Sequence, residues 1–180
     1  DDADVEVAAD IIAAGGFGLT GQACTATSRV ICAPGIYDAL SSALIARAAA
    51  YAPGSGLDER VKMGAVVSES QADTDEKYVR IAVEQGATLL AGGSRDGQLF
   101  EATVLGDVLP EHRVAREEVF GPVVSLIRAR DEDDAIDIAN DSEFGLSAGL
   151  VTQRLSSVAK FVERIQAGVV KINRPTSGVD

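Results

Sequence analysis

The stretch Thr27-Ser28-Arg29-Val30-Ile31-Cys32-Ala33 predicts a buried β-strand and decides the fold class. Its apolar, β-branched run suits a strand that is covered on both faces, as in a parallel sheet. Pro34 follows at once and can open a helix, which we expect to run to about Tyr51 because apolar residues recur there at helical spacing. A strand that leads directly into a helix is the first unit of an α/β fold.

The rest of the chain repeats this alternation. Asp4 is the expected N-cap of a helix over residues 1–18, and further helices are expected over 68–86, 131–140 and 155–166. Strands are expected over 88–90, 100–109, 123–127, 146–152 and 168–172. We therefore predict one α/β domain over residues 1–180, with a mainly parallel open sheet flanked by helices.

Charge and composition exclude several classes of function. The net charge is −12, from 28 acidic and 16 basic residues. A surface of this sign repels nucleic acid and anionic membranes, so neither is expected as a partner. No apolar run approaches the length of a membrane-spanning helix, and the acidic start is unlike a signal peptide. The two cysteines have no His or Cys cluster near them, which predicts no metal site and favours a reducing, cytoplasmic setting.

Cys24 stands just before the first strand, in Gly21-Gln22-Ala23-Cys24-Thr25-Ala26, after a glycine-rich run. Such a junction can present a side chain to a ligand, and a thiolate is a strong nucleophile. From the residues alone the alternative stays open that Cys24 is a small buried hydrophobe, as free cysteines often are. Cys32 lies inside the predicted strand and is expected to belong to the core.

Two acidic residues, Glu117 and Glu118, precede Phe120-Gly121-Pro122. Taken alone, the acids are better explained as a solvated loop than as a site. The Phe-Gly-Pro triplet is explained as a turn that starts a strand, which is compatible with a role at a site. His112 lies in a polar turn and is expected to be an exposed residue rather than a general base. Arg29 is expected to be an internal hydrogen-bond or ion-pair partner rather than a substrate clamp.

Two motifs nevertheless point to one family. Residues 21–26 resemble the nucleophile motif of the aldehyde dehydrogenase superfamily, and residues 117–123 (Glu-Glu-Val-Phe-Gly-Pro-Val) resemble its cofactor-side motif. They stand in the family's order and at about its separation, and weaker similarity extends over residues 1–180. The resemblance implies the family's catalytic-domain fold. It also implies oxidation of an aldehyde to a carboxylic acid with NAD or NADP, through a thiohemiacetal and then a thioester on Cys24.

The resemblance also implies roles for individual residues. Cys24 matches the family's nucleophile. Glu118 matches the position that binds the hydroxyls of the nicotinamide ribose, for which a carboxylate is suited because it accepts from two neighbouring hydroxyls. Phe120 matches the position that packs near the nicotinamide. Ala23 and Thr25 flank the nucleophile and are expected to touch the substrate.

Residues 173–176 (Asn-Arg-Pro-Thr), together with residues 24–29, look most like the branch of the family that acts on α-ketoglutarate semialdehyde and related semialdehydes. This likeness implies that Arg174 attracts a substrate carboxylate. Family members are much longer, so the dinucleotide-binding domain and a C-terminal oligomerisation segment are expected outside these residues. We accordingly expect a homo-oligomer in the full-length protein and no activity from the 180 residues alone.

Two alternatives remain at this point. One is a relative that uses the same kind of cysteine but passes an acyl group to coenzyme A or starts from an acyl phosphate. The other is a folded structural module in which the cysteine has no catalytic role.

Overall fold

The computed structural model describes residues 1–178, so the last two residues of the expected 1–180 domain lie outside the described part. These residues form six α-helices and eight strands. The helices are α1 (Val5–Phe17), α2 (Tyr37–Ala50), α3 (Glu69–Glu84), α4 (Arg113–Arg116), α5 (Glu132–Asn140) and α6 (Leu155–Arg164). The strands are β1 (Arg29–Cys32), β2 (Thr88–Ala91), β3 (Arg95–Asp96), β4 (Leu99–Phe100), β5 (Thr103–Gly106), β6 (Val123–Arg128), β7 (Ser147–Leu150) and β8 (Val169–Ile172).

The main sheet has four strands in the order β1-β6-β5-β2. Strands β1, β6 and β5 run parallel, whereas β2 pairs antiparallel with β5 at one edge. Strands β7 and β8 form a separate parallel pair. The expectation of a mainly parallel sheet is therefore confirmed.

Helices cover both faces of this sheet. Along β6 the side chains alternate, so Val124 and Leu126 join the core formed with α1 and α2. Val123 and Ile127 belong to the opposite core, formed with α3 and α4. The central strand is thus buried on both sides, as the predicted layered α/β architecture requires.

Helix starts follow the capping signals in the sequence. The Asp4 carboxylate accepts hydrogen bonds from the Glu6 and Val7 amides at 3.0 and 3.1 Å, which confirms it as the N-cap of α1. Helix α2, by contrast, begins at Tyr37 rather than at Pro34. The residues between them form a turn, in which the Gly35 amide donates to the Asp1 carboxylate at 3.1 Å.

The strand expected over residues 100–109 is two separate strands. Phe100 pairs with Arg95 in the short β3–β4 hairpin, whereas Thr103 aligns with Val123 in the main sheet. The apolar pattern continues across the break because both segments face the same core, so periodicity alone does not reveal the change of partner.

Two expectations about burial are wrong. Arg29 and Ile31 are only partly buried, because β1 is an edge strand of the sheet and borders a cavity. His112 was expected to be exposed, but only 4% of its surface is exposed. Its Nδ1 accepts a hydrogen bond from the Leu109 amide at 3.3 Å. His112 is the N-cap residue of α4, an element that the sequence did not predict. Cys32 is confirmed as a core residue, at 2% exposure.

Candidate active site

The loop that carries Cys24 leaves α1 through three consecutive left-handed residues. Residues 19–21 have φ values of 52°, 59° and 66°, which turn the chain sharply away from the helix axis. The Ala26 amide then donates to the Ala23 carbonyl at 2.9 Å and closes a turn with Cys24 at its second position. The Cys24 side chain is exposed at the tip of this turn.

The second thiol has the opposite environment. Cys32 is buried, and burial raises the pKa of its thiol to about 12. It therefore stays protonated and out of contact with solvent at neutral pH. Of the two cysteines, Cys24 alone is accessible to a reagent or substrate.

The loop over residues 117–122 separates its two acidic side chains. The Glu117 carboxylate accepts from Arg113 and from the Tyr78 hydroxyl, each at 2.6 Å, and these hydrogen bonds lower its pKa to about 2. Glu118 is exposed and, within residues 1–178, makes no side-chain hydrogen bond or ion pair. Glu117 is therefore a structural anchor, whereas Glu118 is available to a ligand.

Phe120 follows with a left-handed backbone, at φ 60°, and its ring is 38% exposed. Such a conformation costs a residue with a Cβ roughly 1–2 kcal/mol, so the surrounding contacts must hold it in place. A strained, partly exposed aromatic residue beside an exposed carboxylate is typical of a ligand-binding loop.

The two loops meet at one cavity. Ala23, Cys24, Glu118 and Phe120 all line a cavity with a volume of about 530 Å³, which residues of β1 and β7 also line. The structure thus brings together the predicted nucleophile and both predicted cofactor-side residues. A cavity of this size, with an apolar wall and a few polar groups, suits a small organic ligand.

The segment after β8 reaches the same cavity. Arg174 and Thr176 line it, and the Thr176 hydroxyl lies 2.8 Å from the Thr27 hydroxyl, next to the Cys24 turn. Asn173 adopts a left-handed backbone at φ 52° and holds this segment by bonding the Thr152 amide and carbonyl, each at 3.0 Å.

Thr25 of the nucleophile motif and Arg29 of β1 differ in placement from the cysteine. Thr25 is 8% exposed and lies outside the cavity lining, so its contact with substrate stays a prediction. Arg29 donates to the Ile138 and Ala139 carbonyls at 3.2 and 3.0 Å, which confirms it as an internal hydrogen-bond partner.

Within residues 1–178 no group of three or more His, Cys, Asp or Glu side chains is arranged to hold a metal ion. In the same range, residues 1–178, every helix is too short or too polar to span a membrane.

Sequence reasoning missed two polar residues behind the cofactor-side loop. Gln71 and Asp75 lie on α3, and the Gln71 amide nitrogen donates both to the Asp75 carboxyl at 2.7 Å and to the Val119 carbonyl at 2.9 Å. A signal was present: Asp75 stands on the buried helical stripe that also contains Ala72 and Val79. An acid on such a stripe needs a partner or a function.

Comparison with known proteins agrees with this geometry. The model of the aldehyde dehydrogenase family matches residues 1–180. An α-ketoglutarate semialdehyde dehydrogenase of Haloferax volcanii is 44% identical over 187 aligned positions, which cover 100% of this chain and 38% of that protein. An α-ketoglutaric semialdehyde dehydrogenase of Bacillus subtilis is 39% identical, again over 100% of this chain and 38% of the relative. The chain thus spans less than two-fifths of these relatives.

Solved structures show the same similarity. An NAD-dependent aldehyde dehydrogenase of Sinorhizobium meliloti superimposes with a TM-score of 0.95 at 40% identity, over 99% of this chain and 36% of that one. A 1-pyrroline-5-carboxylate dehydrogenase from Thermus with bound NAD gives a TM-score of 0.94 at 31% identity, over 99% of this chain and 35% of that one. With a family match over its whole length and a fold shared with these enzymes, the chain belongs to the aldehyde dehydrogenase family.

Proposed function

We propose that the protein carrying this chain oxidises an aldehyde to a carboxylic acid with NAD or NADP, and that Cys24 forms the covalent bond to the substrate. The observation that supports this most directly is that the exposed thiol of Cys24 and the exposed carboxylate of Glu118 line the same cavity, whereas Cys32, which also borders it, is buried. The relatives and neighbours named above are dehydrogenases, two of them described as NAD-dependent or NAD-bound.

In the proposed reaction the Cys24 sulfur adds to the carbonyl carbon of the aldehyde and gives a thiohemiacetal. The oxygen that becomes negative in this step needs a nearby donor, and within residues 1–178 no acceptor takes the Cys24 amide N–H. Loss of a hydride leaves a thioester on Cys24, and attack by water releases the acid. The chemistry that a bound nicotinamide supplies is acceptance of that hydride.

The cofactor-side residues fit a nicotinamide nucleotide. Glu118 has a carboxylate without a partner within residues 1–178, and two of its lone-pair sites can accept from neighbouring ribose hydroxyls. The Phe120 ring offers a flat apolar surface at the same cavity, against which an aromatic ring packs without competing for hydrogen bonds. Both features suit NAD and NADP equally, because neither involves the 2′-phosphate.

For the substrate we propose a semialdehyde with a carboxylate at its far end. Both curated relatives described above are named for such a semialdehyde. Arg174 lines the cavity on the segment that contacts the Cys24 turn, so its guanidinium can attract a substrate carboxylate.

Substitution Arg174→Ala should raise KM for a carboxylate-bearing semialdehyde at least about tenfold, because it removes the binding free energy of one charge-assisted hydrogen bond. The KM for an uncharged aldehyde should not change. Equal effects on both substrates would rule out this role.

We also propose a cytoplasmic homo-oligomer. Several large apolar side chains are strongly exposed on the chain, including Leu57 at 97%, Leu155 at 82% and Val67 at 79%. Surfaces of this kind are commonly covered by other domains or subunits. A free, exposed Cys24 also suits a reducing compartment.

Thiol labelling of the chain tests the role of Cys24. Iodoacetamide should modify Cys24 rapidly and leave Cys32 unmodified, with Cys24→Ser and Cys32→Ser as the matched variants for assigning the adduct by mass. In a full-length aldehyde dehydrogenase that carries this chain, Cys24→Ser should abolish aldehyde-dependent NADH or NADPH formation, whereas Cys32→Ser should retain it. A Cys24→Ser enzyme with normal turnover would refute the proposal.

Two further measurements separate the alternatives. The 180-residue chain alone should turn over no aldehyde with NAD or NADP, because the family's dinucleotide-binding domain is not among its residues. Addition of coenzyme A should not stimulate the full-length enzyme. Strong stimulation would instead favour the acyl-transferring alternative.

A further inference from the structure

Asp75 is the only acidic side chain among residues 1–178 that is buried, with 0% of its surface exposed. One carboxyl oxygen accepts from the Gln71 amide at 2.7 Å, whereas the other, Oδ2, has no hydrogen-bond partner. A buried carboxyl group with an unmade hydrogen bond is costly, and it persists where a local contact requires it.

That contact is with the cofactor-side loop. A Cβ built on Gly121 would overlap the Asp75 carboxyl group, so the carboxyl packs directly against the backbone of Gly121. On its other side Gly121 meets Gly21, where a Cβ would overlap the Gly121 carbonyl. Gly121 is therefore held between the Asp75 carboxyl and the loop that carries Cys24.

Gln71 holds Val119, which flanks Phe120 opposite Gly121 in the chain. Its amide nitrogen bridges the Asp75 carboxyl and the Val119 carbonyl, at 2.7 and 2.9 Å. Phe120, between these two fixed neighbours, is the residue with the left-handed backbone. Because such a backbone persists only where its surroundings impose it, the contacts of Gln71 and Asp75 explain how the strain is maintained.

We propose that Gln71 and Asp75 are positioning residues, which hold Phe120 in its left-handed conformation and so keep Phe120 and Glu118 facing the cavity. This inference rests on the proposed function for the roles of Phe120 and Glu118 only. The contact is made best by a neutral carboxyl group, since an ionised one would draw water into the apolar space between α3 and the loop.

The protonation of Asp75 follows from its surroundings. Burial raises the pKa of its carboxyl group to about 7, partly offset by the hydrogen bond from Gln71. The other ionisable groups on its own helix are Glu69, Asp73, Glu76, Lys77, Tyr78, Arg80 and Glu84, and those on α4 and the loops at its two ends are His112, Arg113, Arg116, Glu117 and Glu118. None of these groups contributes to the shift, and Glu117 titrates far below this range, at about 2. The contact should therefore weaken as pH rises through 7.

Hydrogen–deuterium exchange of the 180-residue chain tests this directly, without cofactor or substrate. The measured quantity is the exchange rate of residues 117–121 divided by that of β6, at pH 6 and pH 8, after correction for intrinsic exchange. For the wild type this ratio should rise about tenfold, the factor that one pKa unit carries. In Asp75→Asn, which has the same shape and stays neutral, the ratio should not change. The exposed neighbour Asp73→Asn is the matched control and should behave as the wild type.

A pH-independent ratio in the wild type would overturn the inference, as would a wild-type rise that persists in Asp75→Asn. Persistence in that variant would assign the pH dependence to another group. A second variant, Gln71→Ala, should raise the ratio already at pH 6. If Gln71→Ala instead speeds exchange equally in the loop and in β6, the pair supports the whole domain rather than the loop, and the inference is wrong. None of these results depends on turnover, so failure here leaves the proposed function of Cys24 intact.

Discussion

Gly21 and Gly121 pack backbone against backbone, so that a Cβ on Gly21 would overlap the carbonyl group of Gly121. Gly21 belongs to the loop that carries Cys24, and Gly121 to the loop that carries Glu118 and Phe120. The proposed nucleophile and the proposed cofactor-binding residues are therefore fixed relative to one another through main-chain atoms, which have far less freedom than side chains.

Substitution Gly21→Ala should be strongly destabilising. The residue has a φ of 66°, so a Cβ there costs about 1–2 kcal/mol before any contact is considered. The overlap with the Gly121 carbonyl adds to this cost, because the neighbour is backbone and cannot rotate away. We expect the free energy of unfolding, measured by urea denaturation, to fall by more than about 2 kcal/mol.

Two other glycines separate these causes. Gly86 has a φ of 104° but no atom near a built Cβ, so Gly86→Ala should show the cost of strain alone. Gly18 has an ordinary φ of −55° and open space around it, so Gly18→Ala should be nearly neutral. Equal losses from Gly21→Ala and Gly86→Ala would mean that the contact between the loops contributes nothing.

Neutralisation of the two adjacent acids, Glu117 and Glu118, should have different effects. Glu118→Gln should leave stability unchanged, because the carboxylate has no partner within residues 1–178, but in the full-length enzyme it should raise KM for NAD or NADP. Glu117→Gln should lower stability, because it weakens the bonds with Arg113 and Tyr78. Thermal unfolding of both variants, together with cofactor titration, measures the difference. A Glu118→Gln enzyme with unaltered cofactor KM would contradict the assigned role.

The dependence of stability on acid pH should reveal how much Glu117 contributes to the free energy of unfolding. The pKa of Glu117 is lowered from 4.5 to about 2, so its stabilising effect is complete above about pH 4.5 and is lost as pH falls toward 2. The stability curve of Glu117→Gln should be flatter than that of the wild type in this window and parallel to it above pH 5. Parallel curves throughout the acid range would show that Glu117 does not titrate as described.

The Asp75 carboxyl group should lower the stability of the protein when it ionises, whereas Glu117 does so when it is protonated, and the two effects should fall in different pH ranges. The pKa of Asp75 is raised from 3.8 to about 7, so the folded state holds the proton more tightly than the unfolded state. The wild type should therefore lose stability relative to Asp75→Asn as pH rises from about 4 to 7, and the difference should then stay constant. The rise of the pKa from 3.8 to about 7 limits this difference in unfolding free energy to about 4 kcal/mol. Urea denaturation of both proteins across pH 4–8 gives this difference, and a flat difference would mean that the carboxyl group is solvated.

Thr176→Val should loosen the segment that carries Arg174. The substitution keeps the shape but removes the hydroxyl that lies 2.8 Å from the Thr27 hydroxyl. Loss of this bond should cost about 1 kcal/mol of unfolding free energy. Ser177→Ala, at the next position, is the matched control and should cost less. Indistinguishable denaturation midpoints for the two variants would show that the bond does not stabilise the segment.

The sequence predicted the helices and strands well where local signals are strong. The cap residue Asp4 identified the start of α1, and the helix expected over residues 68–86 agrees with α3 within a few residues. Residues 100–109 were predicted as one strand, because the change of partner between β4 and β5 leaves the apolar pattern unbroken. His112 was predicted to be exposed because the turn around it is polar, whereas the folded chain buries its ring.

The motifs determined the family and the identity of the candidate residues, because the order and types of residues in a motif are local properties that a sequence displays directly. Tertiary structure alone decided that Cys24 is exposed, which of the two adjacent acids is engaged, and that Gln71 and Asp75 stand behind the loop. Burial, ion pairing and backbone contact depend on residues that are far apart in the chain and become neighbours only when the sheet and its helices pack together.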